Sequence, residues 1–475
     1  MIQLINNIIH EFKEKFKRVE TFFWFAVIIV GMMVREENRG VSDVISVLKL
    51  NGGLYHSMLH WYRSGAYKVR ELYEKWVEVA QKHVKLVVIG GYILLLGDHL
   101  KMPKEGLRMP GVSAMHQESG NNGKAEYTEG HIFAHVSGVA EKGGIYRSIP
   151  LMTERQESPA KDDDDGDSLV VQMADLAVRV ARCMGGKPCI VALDAYFAKA
   201  SAFETAARVV NDKGERQLEI VTRAPTNVTA YKKPKPPEKR KRGKPRKYGE
   251  KIHLYDKFDD MAKFAKTTMT LYGKKTTVRH LCCDLIWKPT QCVLRFVLVE
   301  LNGNPKERCV LMCSSTAIDP EDIIAAYGLR FKIESSFDDQ KNDVGCFSYH
   351  FWSRALPKRK KWKKSSPPAD PLSSRRVDDA SRAIDAFVCT GTIATGILSI
   401  IAFSYDRKIW SRFPGWLRTA RASVPSIAVV KKTLSHIFPA LLRSHPDLPL
   451  SSIIFSKMKP FDFSLDDLDD FDSVS

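Results

Sequence analysis

The chain has 475 residues, 44% of them hydrophobic, 27% charged and 10% aromatic, a balance that excludes a disordered, collagen-like or mini-protein chain and gives two or three domains as the expectation. The net charge is +18, and two short stretches hold nearly all of it: Lys232 to Lys247 has ten Lys/Arg against one Glu, and Arg354 to Lys364 has seven Lys/Arg and no acid. Charge gathered in this way is a footprint for a polyanion.

In chain order, Ile2 to about Lys82 reads as helical, with a turn at Asn51-Gly52-Gly53 and the aromatics Tyr55, Trp61 and Tyr62 close to Arg63 and Lys68. These residues fit either a helical cap on the main domain or a DNA-end-binding region. Within them, Phe22 to Val34 is apolar for 13 residues, short of the roughly 20 a bilayer span requires, and is predicted as a buried core helix. Glu20 and the lack of a small-residue cleavage site speak against a signal peptide.

The run Tyr92 to Asp98 is predicted as a strand ending in an acid. His131 to Ala140 and Gly144 to Met152 follow as strands joined by a hairpin at Glu141-Lys142-Gly143. An acidic loop, Lys161 to Asp167, leads to an amphipathic helix over Ser168 to Met184, and Pro188 to Asp194 is again an apolar strand ending in an acid. Strands alternating with helices in this order predict an α/β mixed sheet.

A helix near Ala198 to Val210 and a strand Leu218 to Arg223 come before the Pro-rich basic stretch. Strands are then expected at Val278 to Trp287, Val293 to Leu301 and Cys309 to Cys313, and a helix near Pro320 with Asp319 as its N-cap. Val388 to Phe403, 16 apolar residues broken by Thr390, Gly391, Thr392 and Gly396, is predicted as a second core helix, and Phe461 to Ser475 is a tail with six Asp. The nine cysteines, odd in number and mostly within apolar strands, point to a reducing cytosol, and Cys309 and Cys313 lack the second ligand pair of a zinc site. The expected regions are a helical N-terminal part (1–84), the first part of a catalytic domain (85–224), a basic linker and β-rich insertion (225–308), the last part of the catalytic domain with its Glu helix (309–350), and a basic segment with C-terminal helices and acidic tail (351–475).

Asp98 and Asp194 at strand ends place two carboxylates at the edge where open α/β sheets collect ligands. A third acid comes from Tyr327 to Lys341. At about 100° per residue, a continuous helix puts Tyr327, Arg330, Glu334 and Lys341 on one face about 60° wide, with Asp338 close by. Metal-assisted phosphodiester cleavage uses about three carboxylates, because hard cations take oxygen ligands and leave positions open for water and phosphate. Arg330 and Lys341 suit phosphate oxygens, one as a fork and the other as a point charge.

The pattern Y-x2-R-x3-E-x6-K, as Tyr327, Arg330, Glu334 and Lys341, resembles the signature of a large group of DDE-type insertion-sequence transposases. Gly97 to Gly106 with Met109-Pro-Gly-Val112 resembles the region around the first acid in that group, and Leu193-Asp194-Ala-Tyr-Phe197 the second. The resemblance runs through most of residues 85–420. It implies an RNase H-like catalytic domain with a β insertion between the second Asp and the Glu, and Asp98, Asp194 and Glu334 as catalytic residues and ligands of Mg2+, with Mn2+ as a substitute. It further implies binding of terminal inverted repeats, cleavage and strand transfer on double-stranded DNA, a homodimer in the DNA complex, no membrane, and a nucleoid-associated place in a prokaryotic cytoplasm. Tyr327, Arg330 and Lys341 would contact DNA near the cut. The residues Lys239, Arg240, Lys241, Arg242, Lys244 and Arg246 form either a solvated linker or an arm for a narrow minor groove. The alternatives are another RNase H-like DNA endonuclease and a catalytically inactive DNA-binding remnant of an element.

Three departures matter. His99 follows Asp98 where a second Asp or Thr is common, Asp338 competes with Glu334 for the third position, and Asp284 in an insertion strand is expected to have a salt-bridge role. His116, His131 and His135 are expected as hydrogen-bonded scaffold, since an all-carboxylate site needs no imidazole.

Overall fold

The computed structural model describes residues 1–37, 40–116, 126–157, 168–211, 214–234, 246–360, 370–418 and 423–459. Five helices come first: α1 (Ile2–His10), α2 (Val19–Val34), α3 (Val41–Val47), α4 (Tyr55–Arg63) and α5 (Val69–His83). Every residue of α2 from Trp24 onward is buried, as its lack of a polar face requires. Trp61 and Tyr62 also point inward: the Trp61 indole donates to the Thr21 carbonyl at 2.8 Å, and Tyr62 packs on Phe351 and Phe387.

The sheet begins with β1 (Val88–Ile89) and β2 (Tyr92–Pro103), a tight hairpin through Gly90 and Gly91, both at positive φ, which a two-residue loop of this hand requires. Next come β3 (Ser113–His116), β4 (Tyr127–Lys142) and β5 (Ile145–Gln156), then α6 (Leu169–Arg182), β6 (Cys189–Leu193), α7 (Ala200–Ala207) and β7 (Leu218–Arg223). The Ser168 hydroxyl accepts from the Val171 N–H and caps α6. Strands β5-β4-β2-β6-β7 lie side by side in that order, with β6 parallel to both its neighbours and β4 antiparallel to both of its own. This is the RNase H-like mixed sheet.

The chain between β7 and the Glu helix adds β8 (Thr229–Tyr231), β9 (Lys251–His253), β10 (Ala265–Leu271), β11 (Lys274–Trp287), β12 (Cys292–Leu301) and β13 (Arg308–Cys313). These strands are no separate subdomain. β13 pairs antiparallel with β7, and β12 and β11 continue outward, so one sheet of 13 strands runs from the first five strands into these later ones. Asp284 stands opposite Arg295 in that register and receives both guanidinium bonds at 2.9 Å, although its side chain is partly exposed rather than buried.

The remaining helices are α8 (Pro320–Gly328), α9 (Lys332–Asp338), α10 (Pro371–Ser404), α11 (Asp406–Arg412), α12 (Ile427–Ser444) and α13 (Pro449–Phe455). Alternation along the strands divides the core in two. Ile93, Leu95, Val191 and Leu193 face α6 and the N- and C-terminal helices, while Leu94, Leu96, Ile190 and Ala192 face α8 and α9. Helix α10 is 34 residues long, twice the expected run, and is long and apolar enough by composition to cross a membrane, but 94% of its most apolar window is buried inside the protein. Its Gly396 lies against Trp76, where a Cβ would come within 2.0 Å of the indole, so the glycine is a packing requirement. The N-terminal helices pack on α10 and β5 and form one body with the C-terminal ones.

Candidate active site at the sheet edge

Asp98 shares strand parity with Leu94 and Leu96, and Asp194 with Ile190 and Ala192, so both carboxylates emerge on the face covered by α8 and α9. Asp194 follows the last residue of β6, as expected. Asp98 does not end its strand. It sits in the middle of β2, just past the last pair with β6 (Leu96 with Ala192), while β2 runs on against β4 to Pro103. The alternation of residues 97–102 sustains the strand beyond the acid.

Between the two acids lies Arg330, with Nη1 3.1 Å from Asp98 Oδ2 and Nη2 4.0 Å from Asp194 Oδ1. Arg330 and Asp98 are about one-fifth exposed and Asp194 46%. Burial pushes the Asp98 carboxyl up to about 6, Asp194 and Glu334 push it the same way, and the His99 N–H and Arg330 oppose them. For Arg330, burial works against the charge, but Asp194 and Asp98 outweigh it and raise its pKa. Tyr327 is half-buried beside Arg330 and Asp194, and burial takes its phenol up to about 12. Asp98, Asp194, Tyr327, Arg330 and Glu334 are therefore one electrostatic group.

The continuous helix expected from Tyr327 to Lys341 is absent. α8 stops at Gly328, Leu329 to Phe331 form a turn, α9 restarts at Lys332, and from Asp339 to Val344 the chain winds as a π-helix that ends on Gly345 in the left-handed conformation. Ile333 and Phe337 set the new direction by burying against the sheet. The wider i→i+5 turn advances fewer degrees per residue, which carries Lys341 off the shared face: it is exposed and makes no hydrogen bond or ion pair with the acids. Asp338, exposed and bonded to Asn342 Nδ2 at 2.5 Å, is also apart from the charges that act most on Asp98.

The π turn carries a carboxyl pair. Burial pushes Asp339 up to about 7, and the neighbouring Asp343 adds to the rise. An acid whose folded-state pKa exceeds its unfolded value of about 4 binds its proton more tightly when folded, so stability falls as pH rises from about 4 to about 7. Asp339→Asn is expected to flatten that slope, as read from denaturant midpoints across the window.

His135, expected as hydrogen-bonded scaffold, is the cross-strand partner of Asp98 and is fully buried, its ring bonded to Thr153 Oγ1 at 2.8 Å and Ser336 Oγ at 3.1 Å. Gln340 joins the same network through Thr153 and Thr392, so β4, β5, α9 and α10 are tied together beneath the acids. Arg223 ends β7 at the same sheet edge and acts on Tyr327; the signal for it was a strand ending in a cation beside two ending near acids. His99 points to the opposite face, against Phe197, and only its backbone N–H reaches Asp98, at 2.8 Å. His131 bonds Tyr349 and the Pro110 carbonyl, and His116 lies at the exposed end of β3.

The donor set of three carboxylates without thiolate or imidazole fits a hard divalent cation, and the mutual repulsion at Asp98 is what such a cation would relieve. Among the described residues no three acids, histidines or cysteines are gathered at metal-ligand spacing; Arg330 stands between the first two. Of the basic stretch, Lys239, Arg240, Lys241, Arg242 and Lys244 lie outside the described residues, as do Lys361, Lys363 and Lys364 of the second stretch and the acidic tail from 460 on. Arg246 is exposed, but Arg359 is buried and paired with Glu129 and so is no part of a surface footprint.

No protein-family profile matches the chain, and no curated protein is significantly similar to it. Among solved structures, it is similar to a piggyBac transposase in a synaptic complex with hairpin DNA, at 13% identity and a TM-score of 0.35, across 95% of this chain and 79% of that one. A likeness of that degree adds no argument about function.

Proposed function

We propose that this chain is a DDE-type transposase that cleaves DNA at the ends of an insertion sequence and joins the freed strand to a target. The observation that carries the reading is the convergence of Asp98 and Asp194, on adjoining parallel strands, on the guanidinium of Arg330, with Glu334 one helical turn further on. Asp98, Asp194 and Glu334 would hold divalent ions. When bound, Mg2+, or Mn2+ in its place, supplies activation of the attacking oxygen and neutralisation of the leaving one.

The chain's own residues do the rest. Arg330 offsets part of the charge of the two carboxylates in the free protein and is within reach of a phosphate brought between them, where its fork matches two oxygens. Tyr327 presents a protonated hydroxyl to the backbone of the same strand. Lys341, off the shared face, would touch the DNA further from the cut, and the arm around Lys239 to Arg246 would add contacts along the duplex. A homodimer on paired ends and a place at the nucleoid of a prokaryotic cytoplasm belong to this proposal.

The test is nicking of supercoiled plasmid carrying the element's ends, with and without Mg2+, followed by joining of pre-cleaved ends. Metal-dependent nicking with joining is the expected result. Nicking without joining would make the chain a nuclease, and neither would make it a DNA-binding remnant.

A further inference from the structure

Away from the acids, a groove of about 750 Å³ opens between α4, the segment 349–354 and the first turns of α10. Its walls carry three guanidinium groups, Arg63, Arg354 and Arg376, all on exposed residues, and among the described residues no carboxylate stands within 4.0 Å of any of them. The acid in the lining, Asp379, is held by Arg382 at 2.8 Å, and Arg382 also bonds the Arg63 carbonyl at 3.0 Å. Trp352 adds an indole that is 50% exposed, and Tyr55 a half-buried ring on the opposite wall. Three cations, none held in an ion pair among the described residues although Arg376 acts at longer range on Asp370, stand around an exposed indole and make a surface for a chain that alternates anionic groups with flat rings.

We propose that this groove binds unpaired DNA, with Arg63, Arg354 and Arg376 on phosphates and a base stacked on Trp352. Base stacking on an aromatic side chain in a positively charged groove is how single strands are held without sequence preference. What favours an unpaired strand is the exposed indole, because a base paired and stacked within a duplex has no free face to lay on it. The groove is also separate from the acids. Its wall residue Tyr349 bonds His131 at 2.6 Å, and His131 pairs with Met102, four residues along β2 from Asp98, or about 13 Å. The inference rests on the DNA-processing reading for its choice of polyanion, but its test needs no catalysis.

The experiment measures binding of a short labelled oligothymidylate to the full chain in EDTA, over a range of salt. Trp352→Ala is expected to weaken binding about tenfold or more, with Trp352→Phe retaining most of the affinity. The triple change Arg63→Ala, Arg354→Ala, Arg376→Ala is expected to flatten the log–log salt slope by about 2, at about 0.7 per phosphate contact on a single strand. Wild-type affinity and slope in both variants would overturn the proposal, and so would tighter binding of an Asp-rich peptide to the same groove. As a measure free of folding defects, an iododeoxyuridine oligonucleotide is photo-crosslinked to the unaltered chain. Adducts at Trp352 or Tyr55 support the groove, and adducts solely elsewhere overturn it. If Asp98→Asn leaves this binding intact while nicking is lost, the groove and the catalytic reading stand separately; if nicking is absent from the wild type, only the catalytic reading falls.

Discussion

Glu334→Gln, Asp98→Asn and Asp194→Asn are each expected to lower metal-dependent DNA cleavage by roughly a thousandfold or more while leaving DNA affinity near that of the wild type. Groups that act as one unit fail together, so pairing two of these changes should cost little beyond either alone. The discriminating variant is Asp338→Asn. Asp338 lies one turn beyond Glu334, but its carboxylate is turned to Asn342, and of the two it is Glu334 whose charge adds to the rise that burial imposes on Asp98. Asp338→Asn should therefore keep cleavage within about tenfold of wild type. Single-turnover cleavage of an end-bearing duplex checks the set. An inactive Asp338→Asn beside an active Glu334→Gln would move the third position one turn along the helix.

The second large effect is on stability and concerns Arg35. This side chain is fully buried, and it donates to the carbonyls of Val344 at 2.6 and 3.0 Å, Gly345 at 2.7 Å and Gly40 at 3.1 Å. It thereby closes the C-terminal end of the π turn that follows the Glu helix. Arg35→Met keeps much of the volume but takes the donors from the buried Val344 and Gly40 carbonyls, while Gly345 keeps those of Ser348. At about 1–3 kcal/mol per orphaned buried group, a total loss of about 3–5 kcal/mol is expected, a large share of the 5–15 kcal/mol typical of a folded domain. Arg35→Lys should recover part of it, since one ammonium cannot span what a fork spans. Denaturant midpoints for the three proteins are the measurement, and a midpoint for Arg35→Met equal to wild type would show that water reaches those carbonyls.

Much of the central sheet was legible because its signals are local. Apolar runs closed by Asp98 and Asp194 mark β2 and β6, Ser168 marks the start of α6, and Gly143 with Gly144, both at positive φ, turn β4 into β5. What escaped depends on distant partners. The chain from Tyr327 to Lys341 has no proline, and its only glycine, Gly328, does not by itself end a helix; the break comes from fitting Ile323 and Ile324 to one part of the sheet and Ile333 and Phe337 to another. Helical periodicity therefore groups Arg330 with Glu334, both of which act on Asp98, but does not foresee the π turn that holds Lys341. The aromatics near Arg63 proved divided, with Trp61 and Tyr62 turned into the core and Tyr55 left at a groove. The continuation of the sheet from β7 to β13 joins residues some ninety positions apart, and no local pattern announces such a pairing.

That pairing has a topological consequence. Arg223 and Leu311 are cross-strand partners, and the Ala224 N–H bonds the Val310 carbonyl at 2.8 Å, so everything between them is the loop of one oversized hairpin. Closing such a loop costs little more as it lengthens, about 0.6 kcal/mol for each doubling. Length can thus be added in the turns between its strands without disturbing the strands that frame the acids. Shortening the whole loop to a tight turn is another matter. Val297 and Val299 cover Ile323 and Ile324 on the helix that carries Tyr327, and a chain without the loop would keep its strand register but lose the support under that tyrosine.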